Sequence, residues 1–145
     1  MRKIELDTIE IDGEEYPIYC DLYVLSQIQE RMSLNDFERK IIGAKIVRNE
    51  DGTPKHNDDG RIELVFDEYD IHALTVGLTL MINEGLLIQS EQDGTEYKPL
   101  EEKDIARNCD LTPTELSSIV SSAFNRSVVS KKKKTEKIRS RKKNT

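Results

Sequence analysis

Residues 70–89, DIHALTVGLTLMINEGLLIQ, form the longest apolar run of the chain and limit its possible folds more than any other stretch. Ile71, Leu74, Val76, Leu78, Leu80, Met81, Ile82, Leu86, Leu87 and Ile88 fall within it, and only Asp70 and Glu84 are charged. Leu74, Leu78, Met81 and Ile82 recur at three- and four-residue steps, so the spacing predicts a helix. The run is apolar on more than one face, which suits a central helix covered from several sides. Asn83, Glu84 and Gly85 near its middle make it a poor membrane span.

A chain of 145 residues, 36% apolar and 34% charged, suits one domain with a small core and a very polar surface. The start, MRKIELDTIEID, turns acidic at once and lacks the apolar core of a signal peptide, so a cytoplasmic location is expected. Cys20 and Cys109 lie far apart among apolar neighbours and read as reduced, partly buried thiols. The net charge of −6 hides a split. Residues 126–145 hold ten Lys/Arg against Glu136 alone, while residues 1–125 hold 12 Lys/Arg against 27 Asp/Glu. An acidic body of −15 therefore carries a basic tail of +9.

Residues 3–20 read as a β-hairpin turning at Asp12-Gly13. That register sets Ile9 against Tyr16 and puts Ile9, Ile11, Tyr16, Ile18 and Cys20 on one face. Ile4 and Leu6 have the opposite parity, which calls for a bulge or break near Asp7-Thr8. Pro17 cannot donate to a ladder and marks an edge. Asp21 is the expected N-cap of a helix over 22–32 with a stripe of Leu22, Val24, Leu25, Ile28 and Met32. Ser33 or Asn35 starts a second helix through Phe37, Ile41 and Ile42. Residues 44–66 read as a second hairpin, with arms 45–48 and 61–66 and the polar tip NEDGTPKHNDDG. After the central helix, Asp93-Gly94 turns the chain, Pro99 opens a short helix over 100–107, and Thr112-Pro113-x-Glu115 forms a capping box. Leu116, Ile119, Val120, Ala123 and Phe124 then share one helical face.

Chemical motifs are scarce. There is no Gly-rich phosphate loop, GxSxG, HExxH or paired-Cys motif. His56 and His72 have no metal-ligand partner at a helical or turn spacing, and no cofactor or metal is expected. Aligned as an EF-hand loop on Gly60, the hairpin tip puts Lys55 and Phe66 where the strongest ligands belong, so it reads as a solvated turn. Residues 104–120, DIARNCDLTPTELSSIV, have the pattern of a helix-turn-helix. Ile105 and Ala106 pack its first helix, Cys109 and Leu111 flank the turn, and Leu116 and Ile119 anchor the second. Asp110 replaces the turn glycine, and the second helix offers Thr114, Glu115, Ser117, Ser118 and Ser121 with no cation before Arg126. DNA affinity needs phosphate neutralisation, so a DNA-binding regulator built on 104–120 and the basic tail is the second reading, and a plain packing unit the first. The tail itself fits nucleic acid, an acidic partner, the chain's own acidic body or a disordered end.

The stretches IEIDGEEYPIYCDLYVLSQIQERM (9–32), TVGLTLMINEGLLIQ (75–89) and EKDIARNCDLTPTELSSIVSSAF (102–124) together resemble the tail assembly chaperones of long-tailed phages and prophages of Gram-positive bacteria. The stretch 49–60 has no counterpart in that pattern. The resemblance implies a small, non-enzymatic cytoplasmic protein. It would bind the tape measure protein, keep its apolar helices soluble, and help recruit tail tube subunits. It also implies a longer product made by programmed frameshifting, for which the Lys131–Lys134 run offers an A-rich coding stretch. Candidate partner-binding residues are Leu116, Ile119, Val120 and Phe124 on the last helix, or the same stripe closes the core; Lys131, Lys132, Lys133 and Lys134 are the candidates in the tail. The expected architecture is α+β. An N-terminal hairpin and a mid-chain hairpin pack with four to five helices around the central helix, in one compact domain over 1–128, and a disordered basic tail follows over 129–145.

Overall fold

The computed structural model describes the backbone of residues 3–143 and the side chains of residues 3–128. The expectation of a disordered tail over 129–145, and with it Lys131–Lys134, lies outside the residues described with their side chains. The architecture is α+β, with two two-stranded antiparallel hairpins and five helices among the described residues. In chain order these are β1 (Asp7–Ile11), β2 (Glu14–Ile18), α1 (Leu22–Gln29), α2 (Leu34–Ile42), β3 (Ala44–Ile46), β4 (Leu64–Phe66), α3 (Ile71–Asp93), α4 (Glu102–Asn108) and α5 (Pro113–Lys143).

The central helix is α3. Asp70 Oδ1 caps it by accepting from Ala73 N at 2.9 Å, and Gly94 ends it at φ 69°. At 1.5 Å per residue it is about 35 Å long. By length and composition it could cross a membrane, yet 61% of its most apolar window is buried inside this fold. Leu74, Val76, Leu78, Met81 and Ile82 are all fully buried, so the run is the core of the domain. Its polar residues serve that packing. Asn83 Nδ2 donates to Leu100 O at 2.9 Å and its Oδ1 accepts from Leu100 N at 2.8 Å, which fixes the segment leading into α4.

Two glycines let other elements come close to α3. A Cβ on Gly77 would lie 2.6 Å from the Phe37 ring of α2. One on Gly85 would lie 2.8 Å from the carbonyl carbon and oxygen of Pro17. The first hairpin therefore docks by its backbone, and Tyr19 N donates to Met81 O at 3.0 Å. Its register is the expected one: Ile9 pairs with Tyr16, and the turn sits at Asp12 (φ 51°) and Gly13 (φ 78°). The break before Asp7 is also present. Ile4 leaves the hairpin and exchanges hydrogen bonds with Gln92 at the far end of α3.

Helix α1 stops at Gln29, short of the expected Met32, because Arg31 N and Met32 N both turn back to Ile28 O. Ser33 is the cap of α2. Helix α4 starts at Glu102, two residues late, since Leu100 is held by Asn83. The capping box of α5 is formed: Glu115 N donates to Thr112 Oγ1 at 3.2 Å and Thr112 N to Glu115 Oε1 at 3.4 Å.

The second hairpin departs from a simple long-tipped ladder. Beyond β3 and β4 the tip folds into two smaller hairpins, bridged at Arg48–Pro54 and His56–Ile62. Their roots close a ring of backbone bonds: Val47 N to Glu63 O (2.9 Å), Glu63 N to Lys55 O (2.8 Å) and Lys55 N to Val47 O (2.8 Å). The three residues are spaced evenly along the chain, because VRNEDGTP and KHNDDGRI each spell one turn. In each, an Asn carbonyl accepts from the glycine three residues on, and that glycine (Gly52 or Gly60) has positive φ.

Candidate partner-binding cleft

The stripe expected on the last helix faces inward. Leu116, Val120 and Phe124 are buried, and Ile119 packs half-buried against the same core. Helix α2 supplies the complementary stripe. Phe37 meets Phe124 edge-on at 5.4 Å between ring centroids, and Ser117 Oγ donates to Ile41 O at 2.5 Å. Of the two roles open to these residues, the structure shows them closing the core. The helix-turn-helix surface is consumed in the same way. Ser117 is buried and Glu115 is held in its capping box, which leaves Thr114 and Ser118 on the outside.

An open cleft lies on another side of α5, between it and the β2–α1 connection. Its volume is about 720 Å³. Ile18 and Ala123 form its floor, and Tyr19, Leu22 and Tyr23 line its walls. Leu22 and Tyr23 are 63% and 58% exposed, although Leu22 was expected in the buried stripe of α1. The reason is local. Asp21 Oδ1 accepts from Val24 N at 3.0 Å, and this cap turns Val24, Leu25 and Ile28 into the core while the preceding pair points out. The signal in the sequence was the unbroken run Leu22-Tyr23-Val24-Leu25, since one helical stripe cannot bury four consecutive residues.

Charge frames the cleft. Glu5 and Asp7 stand on one side and Arg126 of α5 on the other, with Arg126 ion-paired to Asp7 across the opening. Cys20 sits at the back. Burial pushes its thiol up to about 11, against a hydrogen bond with Ser127 that acts the other way. Neither cysteine is in a disulfide.

Beneath the α1 end of the cleft lies Glu84 of α3, a buried acid. Burial, then a hydrogen bond to Asp21 and the charges of Asp21 and Glu91, push its pKa up to about 8. The Tyr97 hydroxyl nearby is raised by its own burial and by the charge of Glu84. Asp21 is at the same time engaged as the cap of α1. Among the described residues no group of three His, Cys, Asp or Glu comes together as a metal site. A cleft that sets Ile18, Ala123, Leu22 and Tyr23 among Glu5, Asp7, Asp21 and Arg126 suits an amphipathic helix laid along it.

Comparison of the chain with protein-family models, with curated proteins and with solved structures finds no match.

Proposed function

We propose that this protein is a non-catalytic, cytoplasmic tail assembly chaperone of a long-tailed phage or prophage. Its cleft between α1 and α5 receives apolar helical segments of the tape measure protein, and its surface helps recruit tail tube subunits. The observation that carries the reading is the pair Leu22 and Tyr23, held exposed beside an open cleft of mixed apolar and charged lining on a strongly acidic body. Apolar surface at a cleft mouth marks a place for another chain, and the net charge of −15 over residues 1–125 keeps such a body from aggregating. The sequence resemblance over 9–32, 75–89 and 102–124 supplies the identity of the partner.

The test is co-expression with the tape measure protein of the same phage or prophage. The native chain should keep that protein soluble. Leu22→Asp combined with Tyr23→Ser should remove the effect and leave the chain folded, because both side chains are already in water. Equal rescue by this variant would overturn the cleft assignment; no rescue by the native chain, or a gene neighbourhood without tail genes, would overturn the chaperone reading. The competing reading, a DNA-binding regulator, predicts duplex binding that weakens steeply with salt. A chaperone should show little duplex binding at any salt.

A further inference from the structure

The second hairpin carries an apolar surface that nothing within the described residues covers. Ile62, Leu64 and Phe66 alternate along one strand and share one face, and they are 46%, 45% and 71% exposed. Val65, on the opposite face, is 50% exposed as well, so the strand is apolar and open on both sides, where a strand normally packs at least one face. The backbone of Ile62, Leu64 and Phe66 is open too. Strand β4 bonds to the β3 side through its odd-numbered residues: Asp67 N donates to Gly43 O at 2.8 Å, and Glu63 O accepts from Val47 N at 2.9 Å. By the alternation of an antiparallel ladder, the N–H and C=O groups of Ile62, Leu64 and Phe66 point away from β3. The His56–Ile62 bridge obeys the same rule, since it is closed by Asn57 N to Arg61 O and Glu63 N to Lys55 O and leaves Ile62's own groups free. One short edge thus presents unpaired backbone groups and an apolar face together, a combination that soluble proteins usually block.

We propose that β4 pairs with β4 of a second copy of this chain, antiparallel about a two-fold axis at Leu64, to make a continuous four-stranded sheet. Only this register uses all of the open edge, joining 62 with 66, 64 with 64, and 66 with 62 across the axis. It also satisfies charge. Position 61 of one copy falls beside position 67 of the other, so Arg61, which holds no carboxylate among the described residues, meets Asp67 of the second copy. Asp67 is held from its other side by Lys45 at 3.1 Å. Sliding the register so that Val65 lies on the axis would set Glu63 opposite Asp67, and setting it on Glu63 would oppose the two Glu63 carboxylates. On the apolar face, Ile62 of each copy covers Phe66 of the other. A contact this short falls below the standard interface of about 1,600 Å², so association in the micromolar range is expected.

Sedimentation equilibrium of the full chain tests this over a range from low micromolar to submillimolar. A monomer–dimer equilibrium is expected. Leu64→Pro should abolish it, because the ring removes an outward N–H that the hairpin itself does not use. Arg61→Asp, an exposed surface change with no bearing on folding, should weaken it about tenfold. Mild oxidation of Leu64→Cys in a Cys20→Ser, Cys109→Ser background should link the dimer covalently, and Val65→Cys should not. A chain that stays monomeric throughout overturns the proposal, as does a dimer indifferent to both Leu64→Pro and Arg61→Asp. Linking through Val65→Cys alone overturns the register.

Discussion

The buried acid under the cleft gives the sharpest handle on this fold. In the unfolded chain Glu84 has an ordinary value of 4.5, and in the folded protein burial and its contact with Asp21 raise it to about 8. Between these two values the folded state keeps a proton that the unfolded chain has lost. Stability from this site is therefore fully present below about pH 4.5, falls as pH rises, and is gone above about pH 8. At about 1.4 kcal/mol per unit the ceiling is about 5 kcal/mol. Asp21 lines an open cleft, so water reaches the pair and a change of about 2 kcal/mol is the better figure. For a domain of this size that is about 5–10 °C in Tm. Glu84→Gln keeps the shape and offers Asp21 an N–H in place of the acid proton, but does not titrate. Thermal unfolding at pH 5 and pH 9 should thus show the native chain losing about 5–10 °C relative to Glu84→Gln. The groups facing Glu84 (Asp21 of the α1 cap, Glu91 on its own helix, and Tyr97) remain in both chains, so the difference isolates the one carboxyl. Parallel pH profiles for the two proteins would refute the reasoning.

Two further outcomes test the packing. Gly85→Ala should destabilise by about 1–3 kcal/mol in chemical denaturation despite the better helix propensity of Ala, because the new methyl meets the Pro17 backbone rather than a movable side chain; a stabilised variant would mean that the first hairpin does not dock as described. Cys20, with its thiol pushed to about 11, should react with a thiol reagent at pH 8 far more slowly in the native chain than after denaturation, since about one molecule in a thousand carries the thiolate; equal rates would show that the back of the cleft is open.

Features set by neighbouring residues were legible in the sequence. Asp12-Gly13 makes its turn with the expected pairing of Ile9 and Tyr16. Asp21, Ser33 and the Thr112–Glu115 box all cap the helices that follow them. Each depends on a side chain reaching a backbone group three residues away, so local order suffices. Features set by distant contacts were not legible. Nothing in the sequence around Gly77 or Gly85 explains a glycine inside this helix, and only the approach of Phe37 and Pro17 gives them a reason. Glu84 read as an interruption of an apolar run, and its role depends on Asp21, far away in the sequence. The tip of the second hairpin lies between these cases: the repeated Asn-x-Asp-Gly at 49–52 and 57–60 announces two turns, but the backbone ring that joins them is tertiary.

The placement of surface and core follows from a different kind of reasoning. A three- and four-residue stripe on a helix shows that the helix has an apolar face, and does not show what the face meets. For Leu116, Val120 and Phe124 the answer lies in α2, where Phe37 and Ile41 offer a face of matching size and are fully buried by it. Matching apolar faces pairwise across the domain uses up α1, α2, α4, α5 and the first hairpin against the many-sided α3. Among the apolar side chains still exposed are two neighbouring sets, Leu22 with Tyr23, and Ile62 with Leu64, Val65 and Phe66. The first flanks a cleft and suits a helix from another protein; the second lies on an open strand edge and suits another strand. The difference in backbone, more than the similar apolar character, is what assigns the two surfaces to different partners.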